Sequence, residues 1–198
     1  MTAGAHAGDE HAGDPRVLRS RAAVLDAATE LLLQRGLEGV TVDAVLARSG
    51  VARSTLYRHW SGRADLLEDV LRRLVPAPTP PPPPGPLRER LAAIALGVAR
   101  DMREQEAAPT IVTLLHAARV DPELAEFSDA FTAEQHAPLR AVLADARAAG
   151  QLRDDVPDDD VAGLLIGPLF LRAVVVRDPV NDAWVRGHAE RVHRAVAP

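Results

Sequence analysis

The fold is decided by residues 41–60, which read TVDAVLARSGVARSTLYRHW. Thr41 is a suitable N-cap for a short helix, and residues 49–51 (Ser-Gly-Val) stop that helix after about two turns. A second short segment, residues 52–60, then carries one large apolar anchor at Leu56. Two short helices joined by a tight, glycine-containing turn are typical of a helix-turn-helix.

The second helix of this pair predicts contact with DNA. In a helix-turn-helix the first helix crosses the DNA backbone, and the second enters the major groove with its N-terminal residues toward the bases. Residues 52–60 hold no carboxylate, which suits a polyanion surface. Taken alone, Tyr57 and His59 are equally ordinary surface residues. The hydrogen-bond donors that the core does not need are Arg53, Ser54, Thr55, Tyr57, Arg58 and His59.

The chain on both sides of this pair has a helical pattern. Apolar residues recur every three or four positions over residues 18–32 and again over residues 66–74, which predicts one helix before the pair and one after it. Residues 1–15 lack large apolar residues and are predicted to be a disordered tail. We therefore expect a helix-turn-helix domain over residues 16–62 and a connecting helix over residues 63–75.

The next segment, residues 76–86, reads PAPTPPPPPGP. A run of prolines fits neither a helix nor a sheet and predicts an extended polyproline conformation. We interpret it as a linker between two domains, with a ligand for a proline-binding domain as the alternative. A linker that acts only as a spacer would tolerate replacement of residues 78–84 by a Gly/Ser stretch of equal length.

Residues 87–198 predict a second helical domain. Only 3% of the chain is aromatic and alternating β-branched runs are scarce, so an all-β fold is excluded and the fold class is all-α. The predicted helices of this domain cover residues 87–106, 110–120, 122–131, 133–149, 158–176 and 181–195.

The charge distribution supports a nucleic-acid partner. A net charge of −5 argues against one when taken alone, but residues 16–75 hold ten arginines against seven acidic residues, a local charge of +3. The chain has no cysteine, which excludes disulfides, zinc–thiolate sites and a thiol nucleophile. It has neither an apolar stretch of roughly 18–20 residues nor a signal-peptide pattern, so we expect a cytoplasmic protein with no membrane partner.

Residues 18–75 closely resemble the tetracycline-repressor (TetR) family of transcriptional regulators. The resemblance rests on Gly-Val at 50–51, TLYRHW at 55–60 and Asp-Leu-Leu at 65–67. It implies a homodimer on double-stranded DNA with a palindromic operator, and a repressor that a small-molecule effector releases. It also implies that residues 87–198 form the effector-binding and dimerisation domain.

The resemblance implies roles for single residues as well. Ala52 departs from the family, which often has Ser there, so the recognition helix lacks a preferred N-cap. Ser54 replaces a common Gly and adds a group that could read a base. Leu56 and Trp60 are implied to be structural. Phosphate contacts are implied for Thr41, Thr55, Tyr57, His59 and Arg63, and base contacts for Arg53, Ser54 and Arg58.

The last two predicted helices have apolar faces broader than one packing layer requires. One interpretation is burial within a monomer; the family resemblance favours a dimer interface instead. The expected interface residues are Val161, Leu164, Leu165, Leu169, Val185, His188 and Val192.

The effector cavity is expected inside residues 87–176. Its apolar character suggests a hydrophobic or aromatic ligand, although the same residues suit a plain core. His116 and His136 are either ordinary histidines or polar contacts to this ligand. Ligand binding would shift helix 63–75 and change the separation of the two recognition helices, which links the two affinities reciprocally. The candidate wall residues are Ile94, Val98, Met102, Leu115, His116, Phe127, Phe131 and Phe170.

The sequence contains few residues or motifs typical of catalysis, so no enzyme activity, cofactor or metal is expected. The chain has no P-loop and no GxGxxG, GxSxG or HExxH motif. Glu190 and His193 have the spacing of di-iron sites, but the second motif that such sites need is missing. The alternatives are a transcriptional activator of the same fold, a helical enzyme or small-molecule-binding protein without DNA binding, and an interaction protein whose DNA-binding surface has decayed.

Overall fold

The computed structural model describes residues 15–75, 77–103 and 107–198. These residues form helices and no strand, which confirms the all-α prediction. The predicted tail lies outside the described residues, apart from Pro15 at the start of the first helix. The helices are α1 (Pro15–Gly39), α2 (Val42–Ser49), α3 (Arg53–His59), α4 (Arg63–Leu74), α5 (Leu87–Arg103), α6 (Ala107–Ala117), α7 (Pro122–Ala148), α8 (Asp158–Phe170), a π-helical turn (Leu171–Val176) and α9 (Asp182–Val196).

The chain divides into two compact units between Arg73 and Leu74. The proline-rich segment therefore groups with the second unit. Residues 77–83 have no regular secondary structure, as expected from the fixed φ and missing N–H of proline. What the sequence did not predict is that this segment is bonded to α5.

The first unit is built on the inner faces of α1 and α4. Leu18, which was predicted to begin the apolar face of α1, is 54% exposed; the buried run begins at Val24. Val45 of α2 and Leu56 of α3 each add one fully buried side chain. Burial of each such side chain contributes about 1.5–3 kcal/mol. The buried residues of α1 and α4 include Val24, Ala28, Leu31, Leu66, Leu67, Val70 and Leu71.

Asp69 of α4 joins three helices of this unit. Trp60, which directly follows α3, is only 3% exposed, and its Nε1 donates to Asp69 Oδ2 at 2.9 Å. Arg21 of α1 pairs with the same oxygen at 2.5 Å, and its guanidinium lies 5.6 Å from the centre of the Trp60 ring. This carboxylate therefore holds the end of α3 against both α1 and α4.

The second unit has α5 at its centre, in contact with α6, α7, α8 and α9. Leu91 of α5, Leu143 of α7, Leu165 of α8 and Val185 of α9 are all fully buried in one cluster. The aromatic content of the chain is low, and this core is accordingly built from aliphatic side chains.

Three helices of the second unit differ from their predicted extents. The first is α6, which covers Ala107–Ala117 where 110–120 was predicted. The helices predicted over 122–131 and 133–149 are one helix, α7, because nothing between them breaks a helix and Pro138 is accommodated inside it. The helix predicted over 158–176 changes at Leu171 from α-helix to a wider π turn, which ends at Arg177 with a left-handed φ of 61°.

The uncapped start of α3 gives a stability prediction. Ala52 has the extended backbone of an N-cap residue, with φ −66° and ψ 144°, but offers no side-chain acceptor. Ala52→Ser should raise the free energy of unfolding of the first unit by about 1 kcal/mol, because the hydroxyl can accept from a free N–H of the first turn. Urea denaturation followed by circular dichroism measures this gain.

The matched control is Ala47→Ser, at an exposed position inside α2. Serine lowers helix propensity there, so this variant should lose up to about 0.5 kcal/mol. Equal stability changes in the two variants would contradict the capping explanation.

Candidate nucleic-acid interface and ligand cavity

Backbone geometry at two positions fixes the turn between α2 and α3. Thr41 Oγ1 accepts from the backbone N–H of Ala44 at 3.1 Å, so Thr41 is the predicted N-cap. Gly50 ends α2 in the left-handed region, with φ 68° and ψ 9°, and its N–H donates to Leu46 O at 3.0 Å. A side chain at Gly50 would be strained in this conformation. The chain can therefore reverse within three residues and begin α3.

The short helix α3 has one buried face and one exposed face. Leu56 and Trp60 are buried and anchor it. Thr55 and His59 are partly buried at the edges. The donor-rich face predicted from the sequence lies at the surface of the first unit, where its exposed members are Arg53, Ser54, Tyr57 and Arg58.

Arg53, the first residue of α3, is paired with Asp43 of α2 through its Nη2. The two side chains are 55% and 82% exposed. The hydrogen bond to Asp43 and the charge of Asp43, with a further hydrogen bond that Arg53 donates to the Tyr57 hydroxyl oxygen, raise the pKa of Arg53 above its usual value. Asp43 and Tyr57 thus orient a permanently charged guanidinium at the N-terminal end of α3. The sequence placed Asp43 only inside α2 and did not predict this pairing.

His59 lies against Trp60, with ring centroids 5.5 Å apart in an edge arrangement. Its Nε2 is buried and has no hydrogen-bond partner among the described residues. The phosphate contact that the resemblance implies for His59 would therefore have to come from the other ring nitrogen or follow a ring rotation.

Arg63 has a structural contact that the sequence did not predict. Its Nε donates to Val40 O at 2.7 Å and its Nη2 donates to Leu37 O at 2.8 Å. These carbonyls belong to the end of α1 and the turn before α2, where helical partners run out. The guanidinium implied to contact phosphate is thus directed to the backbone of its own unit.

One basic residue near α3 comes from a distant part of the sequence. Arg16 and Ser20, in the first turns of α1, line a shallow depression together with Thr55 and Arg58. No local motif marks Arg16, because only the packing of α1 beside α3 brings it to this surface.

The second unit contains an apolar cavity of about 250 Å³ between α5, α6, α7 and α8. Five of the eight predicted wall residues line it: Val98, Met102, Leu115, Phe131 and Phe170. The residues that sequence reasoning missed include four polar side chains in the described lining, Asp101, Ser128, Thr132 and Gln135.

Three predicted wall residues lie elsewhere. His116 is exposed, because one residue along a helix turns the side chain by about 100° from Leu115. Phe127 is 8% exposed and packs on Phe131 with ring centroids 5.7 Å apart, so it supports the wall from behind. Ile94 lines a separate, second cavity of the same unit.

His136 is the histidine that lines the apolar cavity. Partial burial lowers its pKa below the usual value, the charge of Arg140 lowers it further, and Asp159 opposes both effects. The imidazole is therefore neutral at pH 7 and offers one donor and one acceptor. The sequence left His116 and His136 equally open as ligand contacts; the structure places His136 in the wall.

The predicted dimer interface needs a correction. Six of its seven residues are buried within one chain and are thus unavailable to a second copy: Val161, Leu165, Leu169, Val185, His188 and Val192. His188 is held there by a contact of 3.1 Å between its Nε2 and Leu165 O. The error has a simple cause, since an apolar stripe alone does not say which chain covers it.

Leu164, the seventh residue, is 47% exposed and belongs to a different face of α8. Leu171 and Val175 on the same face are 53% and 65% exposed. Gly163, directly before Leu164, and Gly167, between Leu164 and Leu171, are also exposed and leave the backbone accessible. We call these five residues the outer stripe; its members recur at intervals of three or four residues over most of its length.

Comparison with known proteins agrees with this architecture. A family model described as bacterial regulatory proteins of the tetR family matches residues 24–70, and one described as the tetracyclin repressor-like C-terminal domain matches residues 81–192. The HTH-type transcriptional regulator YdeS of Bacillus subtilis is 30% identical over 175 residues, covering 88% of each chain. The regulator Rv1556 of Mycobacterium tuberculosis is 28% identical over 181 residues, covering 90% of this chain and 89% of the relative.

A solved structure agrees as well. The crystal structure of the TetR family transcription regulator SCO0332 has a TM-score of 0.62 and 29% identity to this chain, over 91% of this chain and all of the other. A helix-turn-helix with an exposed, donor-rich second helix, followed by a helical domain, defines a DNA-binding transcriptional regulator, not an enzyme. The chain belongs to the TetR family. Among the described residues, no helix is long and apolar enough to span a membrane.

The contacts of Arg63 give a prediction that separates folding from DNA binding. Arg63→Ala should lower the free energy of unfolding by about 1.5–3 kcal/mol, because two carbonyls lose a charged donor. Arg58→Ala, at an exposed position on α3, should weaken DNA binding and change stability by less than about 0.5 kcal/mol. Urea denaturation and a DNA-binding titration of each variant measure the two effects. A fully stable Arg63→Ala variant with weakened DNA binding would restore Arg63 to a phosphate-contacting role.

Proposed function

We propose that this protein is a homodimeric repressor that binds a palindromic operator and is released by a small, largely apolar ligand. The observation that carries the DNA-binding part is the exposed face of α3, with four donors and no carboxylate. Because operator DNA is chromosomal, its place of action is the cytoplasm.

The contacts divide by position along α3. In this motif the N-terminal residues of the second helix approach the bases, so Arg53 and Ser54 are the base-reading pair, with Arg58 one turn further on. Arginine recognises guanine by donating to O6 and N7 together, and Asp43 and Tyr57 already restrict the guanidinium of Arg53. The phosphate contacts that the family resemblance implies are assigned to Thr41, the N-cap of α2, and to Thr55 and Tyr57 of α3.

The outer stripe supports a dimer through α8. Three exposed aliphatic side chains with two accessible glycines beside them allow two helices to approach closely. A two-fold dimer presents two copies of α3, and a palindromic operator would offer half-sites about 34–36 Å apart for each helical turn.

The apolar cavity supports release by a ligand. Its wall is mostly aliphatic and aromatic, with a few polar groups that can orient a ligand, as in small-molecule sites generally. Val75, one residue beyond the end of α4, is part of this wall. A ligand that favours one position of Val75 would therefore bias α4, and DNA and ligand would weaken each other's binding equally.

Base reading by Arg53 is tested with duplex DNA from upstream of the protein's own gene. Footprinting first locates the bound site, and single-base-pair variants of that site are then titrated. Arg53→Ala should cost about 1–3 kcal/mol of operator binding and relax discrimination at one base pair. Tyr57→Phe should weaken all sites alike, because a phosphate contact carries no sequence information. Arg194→Ala, in the last turn of α9, is the control and should bind like the parent protein. Undiminished discrimination by the Arg53 variant would remove Arg53 from base reading.

The outer stripe is tested by Leu164→Asp. A charge buried in the interface should convert the dimer to a monomer, which light scattering coupled to size exclusion measures, and weaken operator binding strongly. Leu33→Asp is the control: Leu33 of α1 is 51% exposed, close to the 47% of Leu164, but lies in the first unit. A Leu164 variant that stays dimeric would assign the dimer to another surface.

A further inference from the structure

A second cavity lies beside the apolar cavity in the second unit. Its volume is about 170 Å³, and its outer wall is the proline-rich segment, through Pro78, Thr79, Pro80 and Pro82. We call it the proline chamber. The apolar cavity and the proline chamber share part of their walls, because both are lined by Val98, Asp101, Gln135 and Ile166.

The proline-rich segment is held in place over the chamber by α5. Arg100 Nη2 donates to Thr79 Oγ1 at 3.0 Å, and Arg90 Nη2 donates to Pro82 O at 3.3 Å. Arg90 is only 5% exposed and is itself paired with Asp145 at 2.9 Å. These bonds make the segment a wall of the second unit, which a spacer between two domains would not need to be.

Gly97 of α5 gives independent support for this close packing. A β-carbon at Gly97 would lie 3.5 Å from Thr79 Oγ1, which is ordinary van der Waals contact. The segment therefore rests directly on the helix, and this contact bounds one side of the chamber.

Asp101 supplies the charge at the junction of the two cavities. It is the one ionic side chain among the described residues that line them, and the neutral His136 adds no positive charge. Arg100 lines neither cavity, but its Nε and Nη2 each donate to Asp101 Oδ1 at 3.2 Å. Because the same Nη2 also donates to Thr79, one guanidinium connects the junction carboxylate to the proline-rich segment.

We propose that the ligand site spans both cavities and takes an elongated apolar amine whose protonated nitrogen lies at Asp101, with one arm in the apolar cavity and the other in the proline chamber. This inference rests on the proposed ligand-responsive function and names its ligand class. An ammonium donates hydrogen bonds and matches the carboxylate in charge. It also competes with Arg100 for Asp101, which loosens the bond from Arg100 to Thr79.

The test uses secondary amines with a fixed octyl arm and a second arm of one to six carbons, titrated calorimetrically into the full-length protein without DNA. Affinity should rise roughly three- to fourfold for each methylene of the second arm, until the proline chamber is full. Ala93→Leu should end this rise at a shorter arm, because Ala93 lines the chamber from an exposed position of α5.

The matched control for Ala93→Leu is Ala141→Leu. Ala141 is an exposed alanine of α7 that is not among the lining residues of either cavity. It should follow the parent protein at every arm length. Affinity that does not depend on the second arm in the parent, or that depends on it equally in Ala93→Leu, would overturn the two-cavity site.

The role of Asp101 is tested by comparing N-hexyloctylamine with the neutral N-hexyloctanamide. Asp101→Asn should lower amine affinity by about tenfold or more and leave amide affinity within about twofold. Equal losses for both probes, or a parent protein that prefers the amide, would overturn the amine assignment.

Replacing residues 78–84 by a Gly/Ser stretch distinguishes two roles of the proline-rich segment, the wall of the proline chamber and a spacer between two domains. The variant should retain its thermal melting transition and lose the gain from the second arm; a retained gain would restore the spacer interpretation. DNA binding of the same unliganded protein is measured in parallel. Protein that binds duplex but none of the amines defeats only this inference, whereas protein that binds no duplex defeats the proposed function.

Discussion

The orientation of α3 depends on one buried side chain, that of Leu56, and on one carboxylate, that of Asp69. A helix of seven residues without a side-chain N-cap is not stable by itself. Its direction is set from outside, by the burial of Leu56 and by the bond from Trp60 to the oxygen that also pairs with Arg21. Because Trp60 directly follows α3, fixing its indole fixes the last turn of the helix. The exposed donors then have a defined direction.

Polar contacts in the second unit likewise fix the position of a segment, here the proline-rich segment at the edge of the core. The core around α5 is aliphatic and gives the helices little directional preference, since dispersion contacts are not directional. Buried Arg90, bonded to Asp145 and to a carbonyl of the proline-rich segment, specifies where that segment crosses the helix. The proline chamber is found on this side of α5, where the segment replaces a helix as the outer wall.

Sequence reasoning was accurate where a feature depends on neighbouring residues. The cap at Thr41, the end of α2 at residues 49–51 and most of the exposed donors of α3 follow from local spacing and backbone preference. It was less accurate where a feature depends on distant partners. Arg63 donates to carbonyls more than twenty residues away, and His188 is buried against a carbonyl of α8, so neither arrangement is visible in a local pattern.

The amino-acid order by itself determined that this chain is all-α, where the helices α2 and α3 of its helix-turn-helix begin and end, and which family it belongs to. These properties depend on residues close together along the chain, because turns and helix caps are set by local backbone conformation and by hydrogen bonds between near neighbours. Tertiary structure alone decided which apolar faces are core, which apolar face stays exposed, and that the prolines form one wall of a chamber. Those outcomes depend on which of several equally apolar surfaces meet, and composition and periodicity are the same for each of them.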